Sequence, residues 1–313
     1  LAADDQLWLI GGKKEERSDE VWSSPDGLTW SLPINQAEFS ARKHHQVVVF
    51  DDDPEDNQPA RLWLIGGNTG TFGDEIWSSR DGLNWKLEPA GERFSARAGH
   101  KVAVFDGQLW LVGGRDNEGL QHDVWSSADG LVWQNKTEAT TGADQFEARE
   151  AHQLVTFNNK LWLLAGQGES GLLKDVWSLS SAPDSTWQDR SETVPSVFPR
   201  RQFHQAVVYN NELLLIAGTQ LHDVMALSID ETQWVRKTDG QRFTPRGGHQ
   251  VVVYNDGGGE KLYLVGGSGG SGEVWSSNDG NDWTQLTEEA EFKAANDHQL
   301  VTFDDGHGEA IWL

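Results

Sequence analysis

The chain contains no cysteine, one methionine and three tyrosines, and it carries only 25 Lys and Arg against 49 Asp and Glu. Without cysteine there are no disulfides, no thiolate metal sites and no thiol nucleophile; the compartment stays open. The deficit of positive charge leaves a net −24. That removes the basic footprint needed to hold nucleic acid and argues against adsorption to anionic membranes. An acidic surface of this size is sufficiently explained by solubility. No apolar run approaches the roughly 18 residues of a membrane span, and no stretch shows a helical hydrophobic period. A recognisable signal peptide is also missing, but the chain opens mid-pattern at Leu1, which is compatible with a leader removed upstream. A secreted, periplasmic or cell-surface setting is the favoured expectation.

Tryptophan and glycine are abundant, at 16 and 34 residues, and both recur with a period. Gly11-Gly12, Gly66-Gly67, Gly113-Gly114, Ala165-Gly166, Ala217-Gly218 and Gly266-Gly267 follow one another at offsets of 55, 47, 52, 52 and 49 residues. Such a period signals stacked supersecondary units. Each unit holds four strand-like segments. The first is His-led and rich in β-branched residues, as in His45–Phe50. The second is the apolar run before the diglycine, as in LWLIGG from Leu62, and the third surrounds Trp22, Trp77, Trp125, Trp177, Met225 and Trp275. The fourth begins near Trp30, Trp85, Trp133, Trp187, Trp234 and Trp283. Asp26-Gly27, Asp81-Gly82, Asp129-Gly130 and Asp279-Gly280 separate third from fourth and read as hairpin turns. Units four and five carry Asp184-Ser185 and Asp230-Glu231 instead, so their hairpins should differ. The glycine pairs read as places where a side chain would strike a neighbouring backbone.

Across essentially its whole length the chain resembles the kelch family: HQVVVF, LWLIGG, an acidic residue, an aromatic and a late Trp, six times over. The Ser24–Trp30 stretch also echoes the Asp-box of sialidase-type propellers, with one residue fewer between Asp and Gly. The resemblance implies an all-β fold over residues 1–313 as one domain: a six-bladed β-propeller of four-stranded antiparallel blades around a channel. The first unit lacks its own inner strand, so His298–Phe303 is expected to supply it and close the ring by joining the N- and C-terminal strands. Residues 310–313 would then be a surplus strand; the alternative is a truncated seventh unit.

The recurrent chemistry lies in F-x-x-R-x-x-H, in the connection from an outer strand to the next inner one. It supplies Arg42, Arg97, Arg149, Arg201 and Arg246, with Ala295 in the sixth copy. Guanidinium forks suit carboxylates and phosphates, so an incomplete arginine ring at one channel mouth would take an acidic peptide or protein, or an anionic sugar. The alternative pairs each Arg with the repeated acid before the third strand (Glu20, Glu75, Asp123, Asp175, Asp223, Glu273), in which case Ala295 would leave Glu273 unpaired. His122 and His222 stand beside Asp123 and Asp223 as further contact candidates. The six repeated histidines are spaced too widely to share a metal ion and should bond neighbouring-blade backbone. No metal and no cofactor is expected. Acidic loops such as Asp51–Asp56 could attract calcium but read as solvated turns.

Among relatives of this fold, galactose oxidase needs a Cys-linked Tyr, which a chain without Cys excludes. A sialidase needs a cleft Tyr, and Tyr209, Tyr254 and Tyr263 sit at strand ends or packing positions. The expected function is therefore a binding or interaction module, monomeric and compatible with a place in a larger chain, with no catalytic residue assigned. A sialic-acid mutarotase using Glu150 or Asp297 is the alternative.

Overall fold

A computed structural model describes residues 5–13, 16–53, 58, 60–89, 91–138, 145–181, 186–192, 198–237, 243–269, 272–292 and 296–304. Six antiparallel four-stranded sheets form a β-propeller. Blade I joins the two ends of the chain: Gln299–Asp304 inside, then Asp5–Ile10, Val21–Ser24 and Ser31–Ile34. The closure runs in continuous register from Asp5↔Asp304 to Ile10↔Gln299, as the repeat count requires. Blades II to VI start from the inner strands Gln46–Phe50, Lys101–Phe105, Gln153–Phe157, Gln205–Tyr209 and Gln250–Asn255. The segment 310–313 lies outside the described residues.

Apolar residues of the second strand face both ways. Leu62, Trp63, Leu64 and Ile65 are all fully buried, because each blade packs a neighbour on both sides. Leu62 and Leu64 sit with Trp8 and Ile10 of blade I, while Trp63 and Ile65 sit with Leu109 and Leu111 of blade III. Burial on both faces accounts for the unbroken apolar runs, which would alternate in a sheet with one wet face.

The Ser-x-Asp-Gly hairpin is tied by its own side chains. Asp81 Oδ1 accepts from the Leu83 and Asn84 amides at 2.9 and 2.7 Å, Ser79 Oγ accepts from Gly82 N at 2.9 Å, and Trp85 Nε1 donates to the Gly82 carbonyl at 3.0 Å. The same bonds recur around Asp26, Asp129 and Asp279. At Gly82, φ is 72° and a Cβ would lie 2.7 Å from the Trp8 ring, so both backbone and packing require glycine. In unit five Glu231 takes the left-handed place, with φ 55°. The corresponding turn of unit four falls outside the described residues.

Candidate functional site

F-x-x-R-x-x-H fastens a whole blade. The Phe meets the outer-strand Trp edge-on, with centroids 5.1–5.5 Å apart in all six blades, from Trp30–Phe292 to Phe243–Trp283. Such T-shaped pairs add to area burial. The Arg lies over the same Phe ring, at 5.2 Å for Arg201–Phe198. Its guanidinium reaches the acid before the third strand. Arg97 spans Asp123 at 2.5 and 2.7 Å, Arg149 spans Asp175 at 2.8 and 2.6 Å, and Arg201 spans Asp223 at 3.0 and 2.8 Å. Arg42 bonds Glu75 at 2.7 Å, and Arg246 bonds Glu273. Each guanidinium also donates to the carbonyl of the first diglycine-position residue, 2.8–2.9 Å from Gly66, Gly113, Ala165, Ala217 and Gly266.

All five arginines are at most 1% exposed, so the guanidinium groups lie beneath the loop face and already hold carboxylates. Burial pulls Arg42, Arg201 and Arg246 below the usual arginine range, opposed by the paired carboxylate. One expectation is corrected. The residue at 295 does not leave Glu273 alone, because Arg246 holds it. Each Arg serves the blade whose inner strand follows it, so the acid belonging with position 295 is Glu20. That carboxylate accepts the Trp22 indole N–H at 2.8 Å and has further interactions. Ala295 itself lies outside the described residues.

The histidine explains the second glycine of each pair and crowds the first, where two blades carry Ala165 and Ala217. A Cβ on Gly67 would come within 2.7 Å of the Cβ of His45 in its own blade, and one on Gly66 within 2.8 Å of the His100 ring of the next blade. All six histidines are fully buried. Burial, with the nearby Arg as second cause, holds the His100 and His249 imidazoles down to about 3; burial holds His298 at about 4. They are therefore neutral at physiological pH. The carbonyls of Ile10 and Ile65 from the preceding blade favour the His45 and His100 rings electrostatically. Among the described residues no ring nitrogen of the six meets strict hydrogen-bond geometry, so the carbonyls of the preceding blade face these rings only as weak acceptors.

Immediately before each histidine stands a left-handed residue: His44, Gly99, Ala151, Phe203, Gly248 and Asp297, with φ between 53° and 69°. Their peptides form a belt around the channel. Gly99 N donates to His44 O, Ala151 to Gly99, Phe203 to Ala151, Gly248 to Phe203 and Asp297 to Gly248, at 3.0–3.2 Å. No main-chain bond joins Asp297 to His44 among the described residues; their side chains bridge that step, Nε2 to Oδ2, at 3.0 Å. His44 and Phe203, on opposite sides of the ring, stack across the axis with centroids 6.0 Å apart. The channel is thus constricted to a cavity of about 50 Å³ beneath this mouth.

The sequence candidates do not converge. The arginines are one blade apart. His122 lies in the loop before the third strand of blade III and His222 near the start of the third strand of blade V, Leu221–Ser228, both partly exposed. Of the two acids considered for catalysis, Glu150 is held by Arg115 at 3.0 Å and Asp297 by His44. The same loop face has an open pocket of about 370 Å³, lined by residues including Ser95, Arg97, Asp116, Gln121, Asp123 and Trp125. Among the described residues no three His, Cys, Asp or Glu groups converge on one ion position.

A family model of the KLHDC2/KLHL20/DRC7 Kelch-repeats domain matches residues 1–218 and 58–267. The chain belongs to the kelch-repeat family. Curated relatives of this kelch propeller include Acyl-CoA-binding domain-containing protein 5 of Arabidopsis thaliana, 25% identical over 80% of the chain and 40% of that protein. Tip elongation aberrant protein 1 of Schizosaccharomyces pombe is 26% identical over 85% of the chain and 24% of that protein. The Leucine-zipper-like transcriptional regulator 1 homolog of Drosophila melanogaster is 22% identical over 51% of the chain and 17% of that protein. The kelch propeller therefore spans well under half the length of these relatives.

Proposed function

We propose that this kelch propeller is an interaction module that takes an acidic protein segment on the face carrying the Arg loops. The observation that carries the reading is the organisation of that face. The five buried Arg–carboxylate pairs fix five of the loop connections, and these loops frame an open pocket of about 370 Å³. Rigid scaffolds with loops set at one end are a common way to build a binding surface. Because the five buried guanidinium groups are committed to internal carboxylates, direct contact with an acidic segment falls to more exposed cations of the same face, Arg200 and Arg115, the latter shared with Glu150, with His122 and His222 partly exposed as well. The plugged channel and the paired state of Glu150 and Asp297 favour a surface binder over a mutarotase, which needs a deep pocket and an uncompensated carboxylate.

Selection of a random-peptide library on the folded propeller tests this. The expected result is a pool enriched in Asp and Glu whose affinity falls at least tenfold with Arg115→Glu plus Arg200→Glu. A pool without acidic enrichment, or binding that survives both reversals, overturns it.

A further inference from the structure

Beneath the constricted mouth, the residue after each repeated histidine points its position into the channel: Gln299, Gln46, Lys101, Gln153, Gln205 and Gln250, in blade order I to VI. Five blades place an amide there and one places an ammonium. Three of the amides are occupied. Gln46 Nε2 donates to the His45 carbonyl at 2.8 Å, Gln153 Nε2 to the His204 carbonyl at 2.6 Å and Gln299 Nε2 to the His298 carbonyl at 3.1 Å. Gln205 and Gln250 make no side-chain hydrogen bond among the described residues, and Lys101 makes neither a hydrogen bond nor an ion pair there. In the six-fold order Gln250 stands opposite Lys101, with Gln205 next to it.

We propose that the channel cavity is a binding site for one small monovalent anion, a halide or a short carboxylate, held between the Lys101 ammonium and the amide N–H groups of Gln205 and Gln250. The charge inventory supports this. Among the described residues, the titratable groups lining the cavity are His44, His100, His204, Asp297 and Lys101. The buried imidazoles are neutral, and Asp297 and His44 are engaged with each other at the mouth. Lys101 is thus the cation that faces the cavity without a contact counter-ion, and Asp297 acts on it only at longer range. Burial draws its ammonium down to about 8, which still leaves it charged at neutral pH. Lys101 is half-buried at the channel wall; an ammonium drawn away from bulk water without a partner is costly, and an anion seated against it offsets that cost. Size sets the class: a water needs roughly 10–15 Å³ of such space, so about 50 Å³ admits a halide with water or an acetate-sized carboxylate, and rejects a sugar acid such as gluconate.

Crystals of the propeller soaked in sodium bromide should show an anomalous peak in the channel within hydrogen-bond reach of Lys101. In solution, exchanging gluconate for acetate at constant ionic strength should raise the unfolding temperature saturably. Lys101→Gln, which gives blade III the residue the other five blades already carry, should weaken that response at least tenfold and remove the bromide peak. Bromide found only on the outer surface, or a saturable acetate response retained in Lys101→Gln, overturns the proposal. Should the variant not fold, the bromide map of the unsubstituted protein decides alone.

Discussion

Replacing Arg201 by methionine tests whether the buried pairs stabilise the blades through their carboxylates. In five blades the acid before the third strand also accepts an indole N–H from the Trp two residues on, as Asp175 does from Trp177 at 2.8 Å. Blade V has Met225 at that place, so Asp223 has no such donor. Its side chain is also only 9% exposed, against 26% for Asp175. Arg201→Met therefore strands a buried carboxylate, at a cost of about 3–5 kcal/mol. Arg149→Met leaves Asp175 with an indole and with water, and should cost about 2–3 kcal/mol. Both variants free the carbonyl of the preceding second strand, Ala217 or Ala165, so that contribution cancels in the comparison. Urea unfolding followed by tryptophan emission at pH 7 supplies the measurement, read as midpoints at unchanged slope. The companion Arg201→Met/Asp223→Leu should regain about 2 kcal/mol, since removing both charges relieves the desolvation. Equal losses in the two single variants, or no recovery in the double, refute the reasoning.

Other outcomes follow from the same geometry. Gly67→Ala should be severe, because φ is 102° and the new Cβ would meet His45 Cβ at 2.7 Å and the Lys43 carbonyl at 3.1 Å. Gly66→Ala should cost no more than about 1–2 kcal/mol, as Ala165 and Ala217 already stand at that place with φ near 50°; matched melting curves check the order. Stability should fall on acidification below pH about 6.5, because the buried histidines bind protons readily only when unfolded. The folded values lie below the unfolded one, so this contribution is complete above about 6.5 and is lost as pH falls toward the values of about 3 to 4 held by His100, His249 and His298. Each histidine contributes up to about 1.4 kcal/mol per pH unit, and a flat urea midpoint between pH 6.5 and 5 would contradict it. Asp81→Ala removes the acceptor for two turn amides and the Asn84 side chain, and should lower stability by about 1–2 kcal/mol, seen in the same urea series.

Blade number, strand order and closure at His298–Phe303 are readable from the sequence because each is carried by a repeated local signal. The role of the arginines is readable only in part. The motif shows an Arg and an acid in nearly every unit, but not which acid lies within reach, since the Arg precedes the blade it serves. Their depth is likewise hidden, because a basic residue in a connection reads as exposed until the loops stack over it. The peptide belt leaves a faint trace: Gly99 and Gly248 suit a left-handed backbone, while Ala151 and Phe203 at the same place disguise it. The channel ring is visible as Gln following His in five of six copies, a polar residue opening an otherwise apolar strand, with Lys101 as the exception.

The paired glycines have a consequence for how the ring is counted. Each blade offers one hollow for its own histidine and a second for the histidine of its successor. Every junction uses a similar key and lock, with Ala165 and Ala217 narrowing the second hollow of two blades, so the junctions alone do not count the blades. The number is set by the hoop as a whole, where the curvature of successive junctions must return the first strand to the last. Excising one repeat would leave every remaining lock filled and yet a circle that fails to meet, whereas cutting the chain in the loop between a first and a second strand would disturb no lock at all.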